Sequence, residues 1–470
     1  DYSHNNVIQG NRIGVDYLGL QAVGNGRFGI WIVESAHNQI GGGEEGAGNV
    51  ISGNLNGIGI HYEASVGNKV QGNYIGVDAW GSGLLPNRGW GIDATYNVTF
   101  NVIGVDGDGV DDATEGNVIS GHRGFGQPSA AVYLGGHDNV IAGNLLGTDA
   151  TGRQAMGNVY GIQMGGYRNR VGTDGDGLSD ALERNVIAHN DMGLSISSGA
   201  DNVVAGNFIG TDITGNRGMG NGGGIGIDQG VLRTRIGTNA DGVSDELERN
   251  VVSGQGGIPG TGSVGIGIGG IDTVVAGNYV GIGANGTTPL GNANYGVWVT
   301  GTAVGTRIGG THEAERNVVS ANGTNGIHLQ GGGGTTVLGN YIGTTVDGLS
   351  TLGSGGSGVV IANSSNNLIG GTTAEARNVI SGNATGVSIS GPLANNNQVS
   401  ANYIGLGSDG VTPVGNLRGV TVAGNLTASG NVIGGLTDGE RNMISGNAYE
   451  HLILGGTLGT RVRGNYIGTD

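Results

Sequence analysis

Three segments of the chain concentrate carboxylates at the same spacing. Each follows the pattern Asp-x-Asp-Gly-x-x-Asp-x-x-Glu, with Asn in place of the first Asp in the third copy. Ca²⁺ takes roughly six to eight oxygen ligands, and acids grouped around a glycine turn can supply several of them to one ion. We therefore predict calcium sites formed by Asp106, Asp108, Asp112 and Glu115, by Asp174, Asp176, Asp180 and Glu183, and by Asn239, Asp241, Asp245 and Glu248.

The alternative interpretation of these segments is a solvated acidic turn. In that case Glu183 and Glu248 would pair with the arginines that follow them, Arg184 and Arg249. The pattern resembles the aspartate-rich calcium loops of thrombospondin type-3 and dockerin-like repeats. It is shorter than an EF-hand loop and lacks the glutamate at position twelve of that loop. Both interpretations stay open at the level of sequence.

Few side chains suited to catalysis occupy the outward strand positions, where an active site would have to lie. A short motif, Gly-(Ile/Val/Leu)-x-(Ile/Val/Leu), recurs along the chain, and the residue between its two apolar positions faces outward in a strand. Asp93 is the only acid at these outward positions, whereas a glycoside hydrolase needs at least a pair of carboxylates within about 10 Å. The four tryptophans do not define a groove, and the nine histidines show no ligand spacing. We predict no catalytic residue.

A long internal repeat indicates the strands and corners on which these residues lie. The tetrad Gly-Asn-x-x-Gly returns eight times, once with Ala401 as its first residue. Regular repetition of this kind indicates stacked units that bury their apolar faces against one another. Stacked asparagines about 4.8 Å apart can form a ladder of amide hydrogen bonds. The tetrad asparagines are Asn11, Asn73, Asn144, Asn207, Asn278, Asn340, Asn402 and Asn465.

Three short apolar runs with polar or glycine corners fill each coil of chain. Alternation of apolar and small or polar residues indicates strands with one buried face. The sequence predicts an all-β fold, a right-handed parallel β-helix of about 14 coils with three short strands per coil. A second asparagine ladder is predicted from Asn54, Asn190, Asn322, Asn383 and Asn447, with breaks at His122 and Gln255.

Composition narrows the choice of partners. The formal charge is −17, with one lysine and nineteen arginines, which argues against nucleic acid and anionic membranes as partners. No apolar segment is long enough for membrane insertion. The chain has no cysteine, which agrees with export by a cell that does not rely on disulfides, although many cytosolic proteins also lack cysteine.

The repeat runs through the chain without a linker, so we predict one continuous domain over residues 1–470. The chain opens within one repeat, at Asn6 to Asp16, and closes within another, at Gly464 to Asp470. A β-helix that is open at both ends exposes unpaired strand edges. We therefore expect either a segment of a longer array or copies that assemble end to end into filaments.

The repeats resemble those of bacterial right-handed parallel β-helix proteins of the pectate-lyase-like superfamily. The similarity is seen at Asn366 to Gly371, Arg377 to Asn383, Gly386 to Ile389 and Asn402 to Gly405, and it extends over the whole chain. That superfamily includes polysaccharide lyases, hydrolases, epimerases, phage tailspikes and secreted or surface proteins without known catalysis, and this tetrad looks most like the last group. The resemblance implies a non-catalytic extracellular or cell-surface protein with a structural or adhesive role. The alternative is a polysaccharide-active enzyme.

Overall fold

The structure, a computed structural model, describes residues 4–124, 129–256, 263–425 and 429–468, with Asn425 described by its backbone alone. Thr469 and Asp470, the end of the closing repeat, lie outside these ranges. The chain divides into two compact units. Unit 1 is drawn from Asp1–Ile225 and Asp241–Asn250, and unit 2 from Gly226–Ala240, Val251–Gly256 and Gly262–Asp470. The single domain over residues 1–470 stays a prediction.

Short strands form three parallel sheets of 15, 15 and 14 strands, in which strands three apart in chain order belong to the same sheet. This is a right-handed parallel β-helix with three strands per coil, as the sequence predicts, and parallel crossovers of the right hand are the rule in proteins. Among the described residues, the only helices are two 3-10 turns, Glu313–Glu315 and Asp438–Glu440. None of these residues form a helix long and apolar enough to cross a membrane.

Sheet A contains the two- or three-residue strands that lie within the Asn-x-Ile-Gly runs and their equivalents in other coils. Its members are β1 (Val7–Ile8), β4 (Gln39–Gly41), β7 (Lys69–Gln71), β10 (Val102–Gly104), β13 (Val140–Ala142), β16 (Arg170–Gly172), β19 (Val203–Ala205), β22 (Arg235–Gly237), β25 (Val274–Ala276), β28 (Arg307–Gly309), β31 (Thr336–Leu338), β34 (Leu368–Gly370), β37 (Gln398–Ser400), β40 (Val432–Gly434) and β43 (Arg461–Arg463).

Sheet B contains two-residue strands that directly follow the tetrad asparagine or its counterpart in the next coil. Its members are β2 (Arg12–Ile13), β5 (Val50–Ile51), β8 (Tyr74–Ile75), β11 (Val118–Ile119), β14 (Leu145–Leu146), β17 (Val186–Ile187), β20 (Phe208–Ile209), β23 (Val251–Val252), β26 (Tyr279–Val280), β29 (Val318–Val319), β32 (Tyr341–Ile342), β35 (Val379–Ile380), β38 (Tyr403–Ile404), β41 (Met443–Ile444) and β44 (Tyr466–Ile467).

Sheet C contains the longer strands built on the Gly-Ile-x-Ile motif. Its members are β3 (Phe28–Val33), β6 (Asn56–His61), β9 (Ile92–Thr99), β12 (Ala130–His137), β15 (Tyr160–Tyr167), β18 (Met192–Ala200), β21 (Gly223–Ile227), β24 (Ile266–Ile268), β27 (Val297–Val299), β30 (Ile327–Gln330), β33 (Ser357–Ala362), β36 (Thr385–Ser390), β39 (Arg418–Asn425) and β42 (Leu452–Thr457).

Equivalent positions of the repeat pair with one another, which puts like residues into columns. In sheet C, Ile58 pairs with Ile92 and the outward Gly59 with Asp93. The first apolar residue of the motif is buried in every coil from Ile30 to Val420, and only Leu452 in the last coil is half-buried. Burial of such a side chain contributes about 1.5–3 kcal/mol. Apolar columns therefore hold the coils together.

The tetrad asparagines lie in a ladder at the corner between sheets A and B, as predicted, but they supply only every second rung. Amide nitrogens donate to the side-chain oxygen of the next rung, as from Asn340 to Asn378 at 3.1 Å, and also to backbone carbonyls. Rungs alternate between tetrad asparagines and those of the Asn-Val-Ile runs. The ladder includes Asn11, Asn49, Asn73, Asn117, Asn144, Asn185, Asn207 and Asn250 in unit 1, and Asn278, Asn317, Asn340, Asn378, Asn402, Asn442 and Asn465 in unit 2.

The second ladder is denser than the sequence predicts, and the predicted break at His122 is wrong. His122 continues it, because its Nε2 lies 3.2 Å from Asn87 Nδ2 and its Nδ1 lies 3.0 Å from Asn158 Oδ1. The backbone N–H of Gln255 donates to Asn292 Oδ1 at 3.1 Å. The additional rungs come from the intervening coils, where no Ile-Ser-Gly run marks them: Asn25, Asn87, Asn158, Asn221, Asn292 and Asn416.

A third ladder, not predicted, lies before sheet A. Side-chain bonds join asparagines such as Asn38 to Asn68 at 2.8 Å and Asn68 to Asn101 at 2.9 Å. In unit 2, threonine takes this position at Thr234, Thr273 and Thr306, and the hydroxyl oxygens of these three residues have no hydrogen-bond partner. The three corners of the coil are thus tied by side chains, most completely at the corner between sheets A and B.

Removal of one rung tests the contribution of the ladders. Asn378→Ala removes the buried hydrogen bonds that Asn378 makes to the carbonyl of Val337, to the backbone N–H of Asn340 and to Asn402 Oδ1. Each unsatisfied group costs about 1–3 kcal/mol, so we expect the free energy of unfolding in urea to fall by at least about 3 kcal/mol. The control Asn285→Ala removes an exposed turn side chain and should cost about 1 kcal/mol or less. Equal losses would contradict the ladder account.

His122 makes the ladder sensitive to acid. Burial lowers the pKa of His122 to about 4, from an ordinary value of about 6.5. Between these values the unfolded chain binds a proton that the folded chain does not, so stability falls as pH drops from about 6.5 to about 4, by on the order of 3 kcal/mol. His122→Asn restores the usual rung and should remove this component. Urea unfolding of both proteins at pH 7 and pH 4 measures it, and identical pH dependence would disprove it.

Candidate functional site

The acidic segments occupy the corner between a sheet A strand and the following sheet B strand. The first lies between β10 and β11, the second between β16 and β17, and the third between β22 and β23. Positive φ angles recur at equivalent positions, as at Gly109 (82°), Gly177 (94°) and Gly242 (88°). A Cβ atom at Gly107 would lie 2.8 Å from Glu183 Oε1, so the first two loops are closely packed. The backbone pattern is therefore shared, and differences between the loops come from side chains.

The first loop brings three acids together around a buried carboxylate. One oxygen each from Asp106, Asp112 and Glu115 lies within 4.8 Å of the others. Asp112 Oδ2 accepts the N–H of Gly109 at 3.0 Å, whereas Asp112 Oδ1 is buried without a hydrogen-bond partner. Burial raises the pKa of Glu115 to about 7, and the neighbouring carboxylates of Asp106 and Asp112 add to the rise. Lys69 pairs with Asp106 at the edge of the cluster.

The second loop has the same hydrogen bonds, and one oxygen each from Asp174, Asp176 and Asp180 lies within 4.8 Å of the others, but its buried groups are paired. Asp180 Oδ1 accepts from the hydroxyl of Thr173 at 2.7 Å, and Asp180 Oδ2 accepts from the N–H of Gly177 at 3.0 Å. Arg170 lies 2.8 Å from Glu183 Oε1. The suggested pairing of Glu183 with Arg184 is therefore wrong. Arg184 instead stacks on the ring of Phe208, with its guanidinium carbon 4.3 Å from the ring centre.

The third loop repeats the turn but not the full set of acids. Asp245 Oδ2 accepts from the N–H of Gly242 at 3.2 Å, and Asp241 Oδ1 accepts from the N–H of Val243 at 2.8 Å. Glu248 is buried. Asn239, at the place of the first aspartate, belongs to unit 2, whereas Asp241, Asp245 and Glu248 belong to unit 1. Calcium binding by any of the three loops stays a prediction.

A second candidate site, which we name the aromatic groove, lies on the outward face of sheet C in unit 1. Its volume is about 490 Å³. Tyr62 and Tyr96 stack with ring centres 5.1 Å apart, and Trp90 and Tyr133 stack at 5.8 Å. The groove is lined by Arg27, Phe28, Trp31, His61, Tyr62, Trp90, Asp93, Thr95, Tyr96, Tyr133 and Gly135. The sequence reading that no groove forms around the tryptophans is therefore wrong for Trp31 and Trp90.

A buried chain of hydrogen bonds supports the floor of the groove. Trp31 Nε1–H donates to His61 Nδ1 at 3.0 Å. Because an indole N–H can only donate, His61 Nδ1 must accept, and the ring proton is on Nε2, which donates to Asp93 Oδ2 at 2.9 Å. The hydroxyl of Thr95 donates to Asp93 Oδ1 at 2.9 Å. Both nitrogens of His61 and both oxygens of Asp93 are thus engaged within the protein.

The tyrosines of the groove adopt an unfavourable backbone conformation. Tyr62 has a φ angle of 76° and Tyr96 one of 66°, values that bulky residues rarely adopt and that cost about 1–3 kcal/mol each. The corner itself requires a positive φ, since Glu34 in the preceding coil has 47°. Glycine or asparagine would meet that requirement at lower cost. Other bulky residues of the chain share this conformation, such as Phe100 at 56°, and the two tyrosine rings are packed against each other.

A smaller aromatic cluster lies on sheet C in unit 2. Tyr295 stacks on His328 with ring centres 4.5 Å apart, and Trp298 Nε1–H donates to Gln330 Oε1 at 3.2 Å. Burial lowers the pKa of His328, so its ring is neutral at pH 7. Asn325 Nδ2 lies 3.1 Å from His328 Nδ1. Like the aromatic groove, this cluster combines aromatic rings with a histidine, but the amide of Asn325, rather than a carboxylate, contacts that histidine.

Comparison with solved structures finds other parallel β-helix proteins. The periplasmic alginate epimerase AlgG is 10% identical with a TM-score of 0.36, over 93% of this chain and 77% of that one. The A-module of the mannuronan C-5 epimerase AlgE6 of Azotobacter vinelandii is 14% identical with a TM-score of 0.37, over 80% and 91%. The surface adhesin PfbA of Streptococcus pneumoniae is 10% identical with a TM-score of 0.29, over 87% and 84%. No family model and no curated protein matches the chain.

The buried His61–Asp93 pair gives a testable prediction. Asp93→Ala leaves the N–H of His61 and the hydroxyl of Thr95 without partners, so we expect a loss of about 2–4 kcal/mol in the free energy of unfolding. The control is Asp191→Ala, which breaks an exposed ion pair with Arg123 and should cost about 1 kcal/mol or less. Urea unfolding at pH 7 compares the two. A loss at Asp93 no larger than that at Asp191 would show that the pair is not structural.

Proposed function

We propose that this protein is a non-catalytic, extracellular or cell-surface β-helix that binds neutral polysaccharide through the aromatic groove and serves a structural or adhesive role. The observation that carries the proposal is the row of partly exposed rings over a fixed His61–Asp93 support. Trp31 is 41% exposed and Tyr96 is 62% exposed, so each ring presents part of its surface to a ligand, although Arg27 lies over the Trp31 ring and Tyr62 stacks on Tyr96. Flat aromatic faces with polar edges suit the C–H faces and hydroxyls of sugars.

Electrostatics favours a neutral polymer over a polyanion. The chain carries a formal charge of −17 and repels acidic polymers at long range. Among the described residues that line the groove, Arg27 is the only fixed cation, and its guanidinium carbon lies 4.1 Å from the centre of the Trp31 ring. One guanidinium that already contacts a tryptophan is a poor match for a repeating carboxylate. Stacking therefore supplies most of the expected affinity.

A polysaccharide-active enzyme is the second candidate, and the buried histidine–carboxylate pair in a groove is the observation that favours it. General acid–base catalysis needs a side chain within hydrogen-bond reach of the proton that it moves. His61 is 6% exposed, and both of its nitrogens are held by Trp31 and Asp93. A substrate could reach neither without breaking these bonds. The geometry therefore supports binding better than proton transfer.

Polysaccharide binding tests the proposal directly. Calorimetric titration with neutral glucans and mannans, and with acidic alginate and pectin, should show binding to at least one neutral polymer. Trp31→Ala should weaken that binding by at least about tenfold, because a central tryptophan often contributes more than about 1.4 kcal/mol. The control Trp80→Ala removes an equally apolar, more exposed ring outside the groove and should change the affinity by less than about twofold.

Two results would contradict this assignment. Binding that is confined to the acidic polymers would exclude the neutral-ligand assignment. Release of new reducing ends or unsaturated sugars during incubation would identify an enzyme instead, and His61→Gln would then be expected to abolish it. Unchanged affinity in Trp31→Ala would remove the aromatic groove as the binding surface.

A further inference from the structure

The first acidic loop contains a buried oxygen that no protein group satisfies. Asp112 is 5% exposed, and its Oδ1 has no hydrogen-bond partner, while its Oδ2 is held by the N–H of Gly109. A buried carboxylate oxygen without a partner costs free energy unless a cation or a donor reaches it. The oxygens of Asp106 and Glu115 lie within 4.8 Å of the same carboxylate. The unsatisfied group thus sits among further anionic ligands.

The second loop shows what satisfies this oxygen elsewhere in the chain. The hydroxyl of Thr173 donates to Asp180 Oδ1 at 2.7 Å. Thr173 directly follows strand β16, and Val105 directly follows the equivalent strand β10. Valine has no hydroxyl to donate, so Asp112 Oδ1 loses the partner that Asp180 Oδ1 has. One residue type therefore separates a closed loop from an open one.

The acids of the second loop are also better neutralised by basic side chains than those of the first loop. In the second loop, Arg170 contacts both Glu183, at 2.8 Å, and Asp174, at 3.3 Å. In the first loop, the only lysine of the chain pairs with Asp106, and its side chain is 43% exposed. Glu115 receives a backbone N–H, from Asp106 at 3.1 Å. The carboxylates of the first loop are thus only partly neutralised by the protein.

We propose that the first acidic loop is a calcium site, with Asp106, Asp112 and Glu115 as its carboxylate ligands. Ca²⁺ accepts irregular oxygen coordination completed by water and backbone carbonyls, which suits acids that already accept backbone hydrogen bonds. The ion would satisfy Asp112 Oδ1 and fix the corner between β10 and β11. The site does not depend on the saccharide-binding proposal, because none of its ligands lines the aromatic groove.

The exchange of Val105 for threonine tests the proposal without removing a charge. Val105→Thr supplies the donor found in the second loop, so we expect the calcium-free protein to melt at a higher temperature than wild type. Because the added hydroxyl satisfies Asp112 Oδ1 in the calcium-free protein, the affinity for Ca²⁺ should fall by about fivefold or more. Titration with CaCl₂ by calorimetry, and thermal melting in EDTA and in CaCl₂, measure both effects. Asp112→Asn should abolish the calorimetric signal of this site.

The control variant is Asp180→Asn in the second loop, whose carboxylate is already satisfied by Thr173 and Gly177. It should leave the affinity for Ca²⁺ within about twofold of wild type. The proposal is overturned if wild type shows no heat and no melting shift with CaCl₂. It is also overturned if Asp180→Asn, and not Asp112→Asn, removes binding, or if MgCl₂ binds and CaCl₂ does not.

Discussion

The structure depends on the hydrogen bonding of backbone groups at the corners of each coil. Between parallel strands the ladder of backbone bonds is complete, but at a tight corner the carbonyls turn inward and would be buried without partners. An asparagine amide nitrogen carries two N–H groups, so one rung can donate to backbone carbonyls and to the oxygen of the next rung, and it shares an N–H where three acceptors converge. Asn340 does this, with bonds to Ile308, Leu338 and Asn378.

This constraint explains why functional groups are confined to particular places. Inward positions are filled by aliphatic residues and most corner positions by asparagine or glycine, so neither can vary freely. A Cβ atom at Gly104 would lie 1.8 Å from the carbonyl oxygen of Ala142, which leaves no room for a side chain. Variation is left to the outward face of sheet C and to loops inserted at corners. The aromatic groove uses the first and the acidic loops use the second.

The two kinds of site differ in how their polar groups are satisfied. In the groove, Trp31, His61, Asp93 and Thr95 form a closed set of hydrogen bonds, which engages both nitrogens of His61 and both oxygens of Asp93. In the first acidic loop, Asp112 keeps one oxygen unsatisfied. A closed network suits a rigid binding surface, and an open one suits an ion. The same chain therefore provides a preformed apolar surface and a separate anionic cluster.

The fold could be predicted from the sequence, because each coil repeats the same local requirements: alternating aliphatics, glycine at many positions where φ is positive, and asparagine at most corners. The strand positions, the buried column from Ile30 to Val420 and the first ladder all follow from that period. The second ladder was only partly predictable, since a pattern of asparagines does not reveal that the imidazole of His122 can both accept from Asn87 and donate to Asn158.

Only the tertiary structure decided which distant side chains meet. Trp31, His61 and Asp93 are about 30 residues apart in sequence and touch because neighbouring coils stack in register, as in the pairings of Trp31 with Gly59 and of Gly59 with Asp93. The acidic loops could be recognised from spacing, because their acids are close together in the sequence. Their difference could not, since the loss of a donor to Asp112 becomes visible only when the hydroxyl of Thr173 is seen on Asp180. Local patterns fix local geometry, whereas satisfaction of a buried group depends on everything packed around it.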